Sequence, residues 1–147
     1  MAKELPNHEK SIEISVDEEL EAAEPDDYDA LLLPGGALNA DSLRMNDRAR
    51  EFVQSFQQKQ KPIAAICHAP WLLASAGILK GRRLTSHHTI QDDLTNAGAR
   101  WIDRDVVVDG NLVTSRQPSD IPAFNRDIIR LFSSSRDLKR GGQQAAS

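Results

Sequence analysis

One cysteine, Cys67, is the whole thiol content of this chain. No internal disulfide can form, which suits a reducing cytosol and places the protein in the cytoplasm. Aromatic residues make up only 5% of the chain, and lysine and arginine are interspersed with acids at a net charge of −4. No basic stripe with interleaved aromatics is therefore offered to nucleic acid. No apolar run approaches the roughly 18–20 residues of a membrane span. The opening "MAKELPNHEKSIEI" lacks the apolar core of a secretory signal. Gly35-Gly36 lack the downstream lysine and spacing of a phosphate-binding loop. No thiol pair or histidine cluster has metal-ligand spacing, and His87 and His88, if on a strand, would point to opposite faces. These absences leave a folded protein with neither metal nor cofactor, acting on neither membrane nor nucleic acid.

What the chain does have is an α/β order. At 147 residues with 39% apolar content it has room for one domain with one core. "IEISV" (Ile12–Val16) alternates like a half-buried or edge strand. "YDALLLPGG" (Tyr28–Gly36) and "KPIAAIC" (Lys61–Cys67) are continuous apolar runs, the pattern of strands buried on both faces of a parallel sheet. Between them Ala49, Phe52, Val53 and Phe56 fall on one helical face, with Asn46 as its N-cap. A second helix follows Cys67 and stops at Gly77. "RRLTSH" predicts a short strand and "TIQDDLTNAG" a short helix. "DVVVDGNLVTS" predicts a hairpin turning at Asp109-Gly110. A last helix opens near Ser119 or Asp120, with Ile121, Phe124, Ile128 and Leu131 as its buried stripe. From Ser133 onward little can be buried. The expected organisation is one domain over residues 1–132 and a disordered tail over 133–147.

Cys67 stands where a buried strand gives way to a helix. A nucleophile at such a junction sits on a sharp turn above the carboxyl edge of the sheet, where ligand sites of open α/β sheets gather. The helix N-terminus adds N–H donors and a partial positive charge that favour the thiolate. A free cysteine can equally be plain core packing. Its surroundings favour chemistry: His68 is adjacent, and Gly35-Gly36 end the neighbouring strand at the same edge, where main chain can approach a substrate closely.

"DYDALLLPGG", "KPIAAICHAPWLLASAGILKGRRLTS" and "DDLTNAGARWIDRDVVVDGNLVTSRQPSDIPAFNRDII", in this order and spacing, resemble the ThiJ/PfpI family of the class I glutamine amidotransferase-like superfamily, over about Ser11 to Phe132. The resemblance implies a flavodoxin-like open parallel sheet sandwiched by helices. It also implies stress-protective chemistry of the PfpI branch: intracellular peptidases, cofactor-free glyoxalases or deglycases. By position, Cys67 matches the nucleophile and His68 the histidine after it. Gly36 and His68 match the main-chain donors of the oxyanion site, beside Gly35. Asp41 matches an acid that approaches the histidine across a subunit interface in dimers or hexamers. His87 matches a histidine near the cysteine in some deglycase-type relatives, and a strand-end histidine is its plainer reading. Ala69 stands where glycine is commoner, tolerable if its φ is negative.

Family members begin with a strand, a helix and a strand that carry a glutamate beside the cysteine. Only ten residues separate Met1 from Ile12, so the expectation is an N-terminally truncated sheet. Glu4, Glu9 and Glu13 do not match that glutamate. Two functions follow. One is a cysteine-dependent hydrolase or lyase acting on small carbonyl electrophiles or glycated adducts, with a peptidase as a lesser form. The other is a catalytically impaired redox-sensing or interaction subunit. Glutamine amidotransfer is disfavoured, since no histidine follows Val113.

Overall fold

The structure, a computed structural model, describes residues 13–145. Four strands form the main sheet: β1 (Leu31–Leu33), β2 (Ile63–Ile66), β5 (Val106–Asp109) and β6 (Leu112–Ser115). Their order is β1-β2-β6-β5, parallel except for the β5–β6 hairpin. β3 (Arg83–Leu84) and β4 (Arg100–Trp101) make a separate parallel pair. The helices are α1 (Ala37–Arg44), α2 (Asp47–Gln58), α3 (Pro70–Ser75), α4 (Gln91–Asn96) and α5 (Ile121–Ala145). This is the expected mixed α/β sheet flanked by helices.

The pleat of β2 explains its unbroken apolar run. Ile63 and Ala65 enter a cluster with Phe52, Val53, Phe56, Leu72 and Leu73, while Ala64 turns to Val113 and Phe124 beneath α5. Both faces are covered from Ile63 to Ala65, which favours apolar side chains at successive positions. The predicted stripe of α2 is buried throughout, and the Ala49 N–H donates to the Asn46 side-chain oxygen at 3.0 Å. Burying a side chain such as Phe56 stabilises the fold by about 1.5–3 kcal/mol.

Several local expectations are corrected. Residues 13–16 of "IEISV" form no strand, with Ile14 85% and Val16 76% exposed, and Ile12 lies outside the described residues. The alternating pattern needs a neighbouring ladder, and among the described residues β1 pairs only with β2. β1 is not buried on both faces either: Leu33 is buried but Leu32 is 53% exposed. The cluster beneath α5 draws on β2, β5 and β6 and takes nothing from β1. A cavity of about 290 Å³ opens beside this edge, lined by Leu31, Leu33, Leu43, Phe52, Val53 and Leu72 among others. The hairpin turns at Gly110-Asn111, since Asp109 pairs with Leu112. Gly110 has φ 56°, which suits the first position of a two-residue hairpin turn. Ile121 is exposed, so the buried stripe of α5 starts at Phe124. The backbone from Ser133 on is helical as far as Ala145.

Candidate active site

Cys67 follows β2 directly and precedes α3 by two residues. Its φ is 64°, left-handed for a residue with a Cβ, a conformation that costs on the order of 1–3 kcal/mol and persists only where neighbours impose it. They do so from two sides. The Cys67 N–H donates to the Ser115 carbonyl at 3.0 Å, and the His87 N–H donates to the Cys67 carbonyl at 2.8 Å. The end of β6 and the segment after β3 thus clamp the turn. The side chain is half-buried, so the thiol is not sealed into hydrocarbon.

Gly35 explains itself by contact. A Cβ there would lie 2.9 Å from the Cys67 Cβ, closer than carbon atoms approach, so only glycine lets the end of β1 come this near. Gly36 has φ 103° and heads α1. Among the described residues, the N–H groups of Gly36 and His68 donate to no protein acceptor. Ala69 has φ −54°, so alanine fits there without strain.

The His68 ring meets the thiol through its Nδ1, 3.1 Å from the Cys67 Sγ. It stacks on His87 at 4.6 Å and meets Trp71 at 5.3 Å between centroids. Burial lowers the His68 pKa below the ordinary imidazole value, and repulsion by His87 and His88 lowers it further. His87 is lowered too, by burial and by His88. A neutral imidazole keeps one ring nitrogen free to accept a proton at neutral pH. His87 is thus part of the cluster through both its main chain and its ring. His88 begins a 3-10 turn (His88–Ile90), not a strand, and its ring lies 4.5 Å from that of His87. The opposite-face geometry expected of this pair does not hold.

Asp41 is exposed on α1, and among the described residues no hydrogen bond or ion pair joins it to His68. Glu13 is exposed and unassigned; Glu4 and Glu9 lie outside the described residues. Two neighbours escaped the sequence reading. Trp71 packs on His68 and donates its indole N–H to Asp93 at 2.8 Å. Its place three residues after His68 is a helical-face signal that could have found it. Thr89 has its hydroxyl 3.2 Å from His68 Nε2 and 2.8 Å from His87 Nδ1, and no motif marks it.

The profile of the DJ-1/PfpI family matches residues 3–131. Deglycase PfpI of Pyrococcus furiosus is 48% identical over 119 residues, covering 81% of this chain and 71% of the relative. DJ-1beta of Drosophila melanogaster superposes with a TM-score of 0.77 at 30% identity, over 88% of this chain and 72% of that one. A two-domain Anabaena variabilis protein with DJ-1/ThiJ/PfpI-like and ferritin-like domains gives a TM-score of 0.73 at 38% identity; the match covers 76% of this chain and 32% of that one. Sequence profile, identity and backbone agree, and the chain belongs to the DJ-1/PfpI family.

Proposed function

We propose that the protein is a cysteine-dependent enzyme of the deglycase type, acting without a cofactor on small carbonyl electrophiles or their glycated adducts. The observation that carries this reading is the pairing of Cys67 Sγ with Nδ1 of a neutral His68 at 3.1 Å, on a turn held at φ 64°. The family resemblance and the relative named a deglycase support the substrate class.

In the proposed reaction the sulfur adds to a carbonyl carbon. The S–C bond forms, the C=O π bond breaks, and the thiol proton passes to His68 Nδ1. The unengaged N–H groups of Gly36 and His68 receive the oxygen as it gains charge, a role worth about 2.7–4 kcal/mol per donor in acyl transfer. Return of the proton to that oxygen gives a hemithioacetal. With a 2-oxoaldehyde, a proton then moves from the hemithioacetal carbon to the adjacent carbonyl carbon through an enediol. The resulting thioester is cleaved by water, so the net change is addition of one water and no outside oxidant is required. Asp41 serves this scheme only from a second copy, as the family's dimers or hexamers suggest.

The test is consumption of methylglyoxal by purified protein with and without Cys67→Ser. A loss of about a thousandfold or more is expected, with the unfolding midpoint little changed. Turnover that survives the substitution sinks the proposal. A wild-type protein that consumes nothing, but whose Cys67 is oxidised by mild peroxide, favours the redox-sensing alternative instead.

A further inference from the structure

Which nitrogen of His68 carries its hydrogen decides whether it can take a proton from Cys67, and Thr89 bears on that choice. The main-chain N–H of Thr89 points at His87 Nδ1, 3.4 Å away, as part of the cap of the 3-10 turn. A backbone amide can only donate, so His87 Nδ1 is the lone-pair nitrogen and its ring hydrogen is on Nε2. The Thr89 hydroxyl, 2.8 Å from the same Nδ1, then donates to it. With its hydrogen committed, that oxygen can only accept from the other neighbour, His68 Nε2, at 3.2 Å. His68 Nε2 therefore holds the ring hydrogen, and Nδ1, 3.1 Å from Sγ, faces the thiol with its lone pair.

We propose that Thr89 is a positioning residue: its hydroxyl, oriented by His87, fixes the tautomer of His68 that accepts the proton of Cys67. The assignment deepens the reading above and rests on it for the destination of that proton. It also supplies within one chain the orienting partner that Asp41 does not provide in its own. The groups around His68 are Cys67 from the turn, His87 capping the 3-10 turn, His88 behind it at the start of that turn, and Trp71 from α3. Trp71 also lies under the Arg44 guanidinium and donates to Asp93. None of the others reaches Nε2 with an acceptor among the described bonds.

Thr89 is exposed, so Thr89→Val should fold, and Thr89→Ser keeps the hydroxyl. Nitrogen-15 NMR of the histidine rings at neutral pH reads the tautomer directly. Alkylation of Cys67 by iodoacetamide reads the consequence without any substrate. The wild type and Thr89→Ser should show His68 protonated at Nε2 and alkylate within about twofold of each other. Thr89→Val should lose that preference and alkylate about fivefold more slowly, the population shift that one hydrogen bond supports. A wild-type His68 protonated at Nδ1, or a Thr89→Val protein equal to wild type in both readouts, overturns the assignment. Should the wild type leave methylglyoxal untouched while Thr89→Val still shifts tautomer and alkylation, the tautomer assignment stands and the deglycase reading falls.

Discussion

The two ends of the main sheet treat their polar groups in opposite ways. At the Gly110 end, Arg82 Nε donates to Asp109 Oδ2 at 3.1 Å, and its Nη atoms donate to Gln57 Oε1 at 3.1 Å, the Asp109 carbonyl at 2.7 Å and Asn111 Oδ1 at 2.9 Å. Asn111 donates in turn to Gln57 and to the Lys61 carbonyl. Burial alone would raise the Asp109 pKa, but the Arg83 N–H and the Arg82 guanidinium outweigh it and hold the carboxyl below its ordinary value. At the Cys67 end, by contrast, a non-glycine residue sits at φ 64°, two amide N–H groups point at no protein acceptor, and two imidazoles are kept from charging. One end consumes its donors and acceptors to fasten α2, β3 and the hairpin together. The other leaves two donors unengaged by the protein, and its strained turn is held by its own clamp from Ser115 and His87.

The largest expected effect tests whether the strained end depends on close approach. Gly35→Ala would place a methyl group 2.9 Å from the Cys67 Cβ, and the turn must shift to admit it. A misplacement near 1 Å costs on the order of a hundredfold in rate. Turnover should fall by about that factor while the circular dichroism spectrum holds. Activity within about twofold of wild type would show that the turn does not need this contact.

The fastened end answers in stability instead. Arg82→Leu leaves Asp109 and Asn111 short of donors and should cost about 1–3 kcal/mol in urea unfolding, with turnover per folded molecule unchanged. Its pH dependence has a definite sign. A carboxyl held below its ordinary 3.8 adds stability that is present above that value and lost as pH falls through the lower folded one. Arg82→Leu should therefore flatten the acid limb of stability below pH 3.8. An unchanged limb, or turnover that drops with stability, would erase the distinction between the two ends.

How much of this was legible depends on how far the deciding contact lies along the chain. The stripe Ala49, Phe52, Val53, Phe56 and the Asn46 cap are local, and both are as read. The position of Cys67 between strand and helix was legible for the same reason, although its φ was not: the clamp comes from Ser115 and His87, remote in sequence. Three leucines in β1 read alike whether one or two layers cover them. Composition states what a strand can bury, not whether a second layer arrives, and α5 does not reach Leu32. Asp109-Gly110 and Gly110-Asn111 are both good turn pairs, so only the β5–β6 register separates them. Thr89 stands 21 residues from His68, and its role depends on a hydroxyl direction that no sequence pattern encodes.

The smallest effect sharpens the electrostatic side of the comparison. His88 is exposed and is one of two imidazoles whose charge would oppose protonation of His68, after burial, which is the larger cause. His68 accepts a proton only when neutral, so kcat/KM should fall as pH drops through its pKa. Because that pKa is lowered, the acid limb should lie below the ordinary 6.5. Stability follows the same direction: the unfolded chain binds this proton more readily, so stability is lost as pH falls below 6.5. His88→Gln removes one repulsion and leaves burial in place. The limb should therefore move upward yet stay below the ordinary value, with the plateau rate unchanged. A pH–rate profile between about pH 5 and 8 reads this. A limb that stays put would mean that burial and His87 keep His68 neutral without help from His88, whose ring then contributes no charge repulsion.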